Sequence, residues 1–150
     1  MKRRNLSRTG KGLIVAIVLT LLLTSVKLGF TLAEEEGNVY KWKGTLYAGN
    51  SMIIDGFEST GIVLVLTSNQ DVEDAKVKII RFEGNVFEIK ANPKLENAGF
   101  EAIVQFYTDD SVLYVLENGQ WVAVETGVGE DHNGRYLWTE TNHFSRWCSS

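Results

Sequence analysis

Cysteine, histidine and proline are scarce in this 150-residue chain, and each shortage removes a class of protein. The one cysteine, Cys148, rules out a disulfide framework and any cysteine-based zinc cluster. The only histidines are His132 and His143, at a spacing that matches no zinc motif. A single proline, Pro93, together with 44% hydrophobic residues, argues against disorder. Acidic residues are missing from residues 1–33, which hold six of the fifteen Lys and Arg: Lys2, Arg3, Arg4, Arg8, Lys11 and Lys27. Residues 34–150 therefore carry nine basic and nineteen acidic residues, a net charge of −10. That balance argues against nonspecific binding to nucleic acid, which needs an electropositive surface.

What is present begins with a targeting or anchoring segment. Met1 to Lys11 is basic, and Gly12 to Val26 is an uncharged, largely apolar run. Ala33 offers a small residue at a cleavage point just before Glu34-Glu35-Glu36, the order of a secretory signal peptide. The same stretch also reads as an uncleaved anchor. From Gly12 to Ala33 only Lys27 is charged, and 22 residues at ~1.5 Å each span ~30 Å of hydrocarbon. Both readings keep residues 1–11 in the cytoplasm and send residues 34–150 out, secreted or anchored to the cytoplasmic membrane by residues 12–33. The expected organisation is thus a signal peptide or N-terminal hydrophobic helix over 1–33 and an extracytoplasmic domain over 34–150.

After Ala33 the pattern has period two. Tyr40, Trp42, Gly44 and Leu46 alternate with Lys41, Lys43 and Thr45, as in a strand with one buried face. Ile62 to Leu66 is a continuous apolar run, expected to be a strand covered on both faces. Ser68 to Asp74 reads as a polar connection, Val77 to Phe82 and Val86 to Lys90 as strands, Asn92 to Gly99 as a loop. Phe100, Ala102, Val104 and Phe106 form the cleanest core face. Leu113–Glu117 and Gln120–Val124 flank Asn118-Gly119, which tolerates the positive φ of a type I′ turn and predicts a hairpin. Gly127 to Gly134 reads as a glycine-bearing loop, Tyr136 to Thr139 as a strand, and Phe144 to Trp147 closes the chain. About 8–10 short strands without long crossovers predict an all-β, antiparallel β-sandwich.

The stretch from Ser111 to Ser145 resembles a known kind of domain. Leu113-Tyr114-Val115, Asn118-Gly119-Gln120-Trp121-Val122, Glu125-Thr126, an acidic loop, Tyr136, Thr141 and His143-Phe144-Ser145 follow its pattern. It is similar to the C-terminal part of β-sandwich domains on archaeal and bacterial cell-surface proteins, including the PGF-pre-PGF type. More faintly, Gly44 to Gly49 with Ile54-Asp55-Gly56-Phe57 resembles the opening of surface-layer-associated β domains. The resemblance implies a noncatalytic surface module and supplies no catalytic residue. Where such domains continue after His-Phe-Ser, this chain has Arg146-Trp147-Cys148-Ser149-Ser150.

Few residues invite chemistry. Asp109, Asp110, Glu130, Asp131 and His132 are candidate metal ligands if the fold gathers them; the alternative is a solvated acidic loop. His143 and Ser145 lack an orienting acid, and no Gly-x-Ser-x-Gly elbow exists, so no catalytic site is expected. His143 is expected half-buried, donating to the backbone. Trp42 reads as core, whereas Trp121, Trp138 and Trp147 are candidates for a sugar-stacking platform, the last two at an edge. Cys148 either dangles as an inert thiol or links two chains as a dimer. No cofactor is implied. The sequence points to an exported, noncatalytic cell-envelope β-sandwich with a structural or adhesive role, its partners being the membrane and other envelope proteins or glycans. The alternative is a carbohydrate- or metal-binding module.

Overall fold

Alternation of apolar and polar residues marks the longer of the eleven antiparallel strands that the described residues form in two sheets. The computed structural model describes residues 38–150. Both readings of residues 1–33 lie outside that range, and among the described residues no helix is long and apolar enough to cross a membrane.

The six-stranded sheet runs β1 (Asn38–Leu46), β4 (Val72–Arg81), β5 (Val86–Ala91), β11 (Arg146–Ser149), β7 (Leu113–Glu117) and β8 (Gln120–Ala123). The five-stranded sheet runs β2 (Ser51–Gly56), β3 (Ile62–Ser68), β6 (Phe100–Tyr107), β10 (Gly134–Thr141) and β9 (Gly127–Asp131). The described residues are all-β apart from two short helices, α1 (Phe57–Thr60) and α2 (Pro93–Ala98).

The inward faces of both sheets contribute to one apolar cluster. Ile54, Leu64, Val104, Phe106 and Leu137 come from one sheet, and Leu46, Ile79, Phe87, Leu113 and Trp147 from the other. Phe106 meets Phe87 edge to face with ring centroids 5.1 Å apart, and Trp147 at 6.0 Å. The cluster is closed between Leu46 and Trp147, within the compact unit Glu36–Ser150. The described residues 38–150 thus hold a complete core of their own, the property of a domain that folds by itself.

Several local expectations are corrected, each for a physical reason. Among the described residues the strands number eleven, not 8–10. Ser68–Asp74 is not merely a polar connection, because β4 already starts at Val72. Asp74 adopts φ +57° and interrupts the alternation, so buried Val72 and Ala75 stand three residues apart instead of two. Asn92–Gly99 is not a loop but holds α2, started by Pro93 at its first turn and pinned by buried Leu95. It is too short to show a helical period. Gly127–Gly134 is not a loop but contains β9, whose glycines carry no side chain to reveal alternation. Ile62–Leu66 is covered on both faces, but unequally: Ile62, Leu64 and Leu66 are wholly buried, while on the other face Val63 is buried and Val65 half-buried. The hairpin forms as expected, with Glu117 opposite Gln120 and positive φ at Asn118 (50°) and Gly119 (79°).

Candidate functional site

Strand register assembles a patterned surface on the outward face of the five-stranded sheet. Ser51 lies opposite Thr67, and Thr67 opposite Glu101. Two residues along, Ile53, Val65, Ile103 and Glu140 form the next row. Asp55, Val63, Gln105, Trp138 and Gly127 form a third. Tyr107, Tyr136 and Gly129 form a fourth. The Ser51–Thr67 hydroxyl contact of 2.8 Å links edge strand β2 to its neighbour β3 on this side.

Two aromatic rings lie flat because their cross-strand partners are glycine. A β-carbon on Gly127 would overlap the indole of Trp138, and one on Gly129 would overlap the ring of Tyr136. The rings therefore rest on the backbone of β9 and are held by it. Tyr107 packs against Tyr136 at 5.3 Å and against Phe57 of α1 at 4.7 Å. Its hydroxyl donates to Asp131 Oδ2 at 2.6 Å. Burial and this bond to a carboxylate push the Tyr107 phenol up to about 12. The same bond holds the Asp131 carboxyl below its ordinary value.

Two hollows lie among these rows. One of about 460 Å³ is lined by Ser51, Val65, Thr67, Glu101, Ala102, Ile103, Glu140, Thr141 and Asn142. Another, of about 280 Å³, lies beside Trp138 with Glu125, Thr126, Gly127 and Glu140 in its wall. The outward residues of the four rows, with Asp131, include acids at 55, 101, 131 and 140 but no lysine or arginine. Ile53 at the margin is 66% exposed. The surface offers aromatic and aliphatic area, carboxylate and amide oxygens, and a negative potential. Anionic ligands are disfavoured there.

The sequence-predicted residues scatter. Trp147 is 2% exposed in the core, and Trp121 is 43% exposed on edge strand β8 of the other sheet. Trp138 is half-buried on β10. The expected edge position of Trp138 and Trp147 is thus incorrect: β10 and β11 are each flanked by two strands, and the three tryptophans share no platform. Asp110 Oδ2 accepts from Asn85 Nδ2 and Ser149 Oγ, both at 2.6 Å, tying its loop to the six-stranded sheet. Asp109, Glu130 and His132 are exposed. Among the described residues no group of three or more metal-ligating side chains gathers.

His143 is exposed, not half-buried as expected, and its Nδ1 contacts Asn142 Oδ1 at 3.1 Å. Ser145 Oγ instead donates to the Leu116 carbonyl at 3.2 Å. Cys148 does not dangle; it sits in β11 between Val86 and Tyr114, and burial raises its thiol pKa. Sequence reasoning missed Tyr107, Tyr136 and Phe57. The readable signal was the match of Gly127-Val128-Gly129 to Tyr136-Leu137-Trp138. No family model, curated protein or solved structure matches the chain.

Proposed function

We propose that residues 34–150 are an exported, noncatalytic β-sandwich of the cell-envelope kind, tethered or released according to whether residues 1–33 are cleaved. The resemblance over Ser111–Ser145 belongs to the same reading. Its work is adhesive, through the outward face of the five-stranded sheet. The observation that carries this reading is the pair of rings, Trp138 and Tyr136, lying on Gly127 and Gly129 in described rows that hold carboxylates but no lysine or arginine.

The carbohydrate-binding form of the reading follows from that chemistry. A sugar offers C–H groups to an aromatic face and hydroxyl groups to carboxylate and amide oxygens. Glu101, Gln105 and Glu140 supply such oxygens along the same rows. The negative potential favours neutral or cationic glycans over anionic ones.

Export is tested by adding protease to intact cells that express a tagged chain. Digestion of residues 34–150 is expected, and full protection would contradict the reading. Adhesion is tested by cosedimentation with insoluble neutral polysaccharides. Retention that Trp138→Ala abolishes is expected, and retention equal in the variant would place binding elsewhere.

A further inference from the structure

The opposite outer surface carries the reverse charge. On the six-stranded sheet Lys41 lies opposite Lys78, and Lys78 opposite Lys90. Two residues along, Lys43 lies opposite Lys76. Five of the nine basic residues after position 33 therefore occupy one face of three adjacent strands. With strands ~4.8 Å apart, the longer row runs ~10 Å, and the second lies ~7 Å from it. Like charges directly opposite one another oppose folding. Asp74 meets Lys43 at 2.8 Å and Glu88 meets Lys90 at 3.0 Å. Between the rows a hollow of about 370 Å³ is lined by the lysines and Asn92, over the row of Trp42, Val77 and Ala91, whose side chains turn to the core.

We infer that this lysine face docks on an anionic phospholipid bilayer. The ammonium groups are spread over a sheet surface and do not converge on one point, which suits a layer of headgroups better than a single anion. The apolar stems of the lysines below the charges suit the boundary between phosphate and acyl chain. Chain length favours the same occupant. Lys41 is eight residues past Ala33, at most ~27 Å of extended chain, so an anchored form holds β1 within reach of the headgroups. That setting rests on the export reading above.

The net charge of −10 on residues 34–150 does not oppose docking, because potentials fade over ~8 Å at physiological salt. The face with Asp55, Glu101, Asp131 and Glu140 is on the other sheet and is turned outward, away from the lipid.

The test is flotation of residues 34–150 with phosphatidylcholine vesicles, with and without phosphatidylglycerol, at low and high salt. Binding that requires phosphatidylglycerol and is lost at high salt is expected. Each lysine removed should weaken partitioning about fivefold, so Lys41→Gln with Lys76→Gln should weaken it about 25-fold. Glu101→Gln with Glu140→Gln should leave it no weaker. The lysine variant should melt no lower than the parent, which separates lost docking from lost folding.

Equal binding to pure phosphatidylcholine, or indifference to the lysines, would overturn the inference. So would lysine-dependent binding to soluble polyphosphate without binding to vesicles. Binding by residues 38–150 but not by 34–150 would make Glu34-Glu35-Glu36 the occupant and overturn it too. The vesicle assay omits residues 1–33, so its failure leaves the export reading standing. Protection from protease on cells would sink that reading and the extracytoplasmic setting, while lysine-dependent vesicle binding would still be decided by its own assay.

Discussion

The indole of Trp138 lies across Gly127, its partner on the neighbouring strand, so closely that any β-carbon there would overlap it. Gly127→Ala should therefore displace the ring. A destabilisation of ~1–3 kcal/mol is expected, the scale for overpacking. The same variant should shift the tryptophan emission. Unchanged emission with an unchanged denaturation midpoint would mean the ring does not rest on that glycine.

Gly119 holds φ +79° in the turn between β7 and β8. A β-branched residue resists that conformation. Gly119→Val should cost ~1–3 kcal/mol, as for strained backbone positions. A denaturation midpoint equal to the parent's would show a turn of another type.

Phe106 is wholly buried where the two sheets meet, while Glu101 on the same strand points outward. Phe106→Ala should cost ~3–5 kcal/mol, the range for emptying an aromatic from a core. Glu101→Ala should cost ~0.5 kcal/mol or less. Chemical denaturation of both variants checks the register of β6. If Glu101→Ala proves the worse, the outward face has been drawn on the wrong side.

Tyr107 and Asp131 make stability depend on pH in opposite directions. The phenol is raised from 10.0 to about 12, so the folded state keeps a proton that the unfolded chain releases. Its contribution is complete below pH 10.0 and is lost as pH rises toward about 12. The Asp131 carboxyl is lowered from 3.8, so its contribution is present above that pH and is lost as pH falls through the lower folded value. Tyrosine absorbance should show one group titrating near 12 that disappears in Tyr107→Phe. Asp131→Asn should bring it part of the way back toward 10.0, because burial remains. A titration curve identical in all three proteins would contradict the bond.

Most of the framework was legible because one face of each long strand is sealed. Phe100 to Phe106 and Tyr40 to Leu46 alternate without interruption, and each forms the strand expected. Legibility failed where the chain breaks its own period. Asp74 hides the start of β4 by entering the left-handed region. Gly127 and Gly129 hide β9 by having no side chains. The candidate site was harder to see because it depends on register. Trp138 and Tyr136 announce a strand, but only cross-strand pairing lays them on glycines and brings Ile103, Gln105 and Tyr107 alongside. The lysine face was obscured by totals, since a net charge of −10 says nothing of five lysines on three adjacent strands.

The most direct test of the adhesive reading is a fluorescence titration of residues 34–150 with soluble neutral oligosaccharides, beside Trp138→Phe and Glu101→Gln with Glu140→Gln. The account predicts a saturable change in tryptophan emission for the parent, loss of that signal in Trp138→Phe, and weaker binding in the carboxylate variant. A parent emission that no neutral oligosaccharide changes, or a change that persists undiminished in Trp138→Phe, would contradict it.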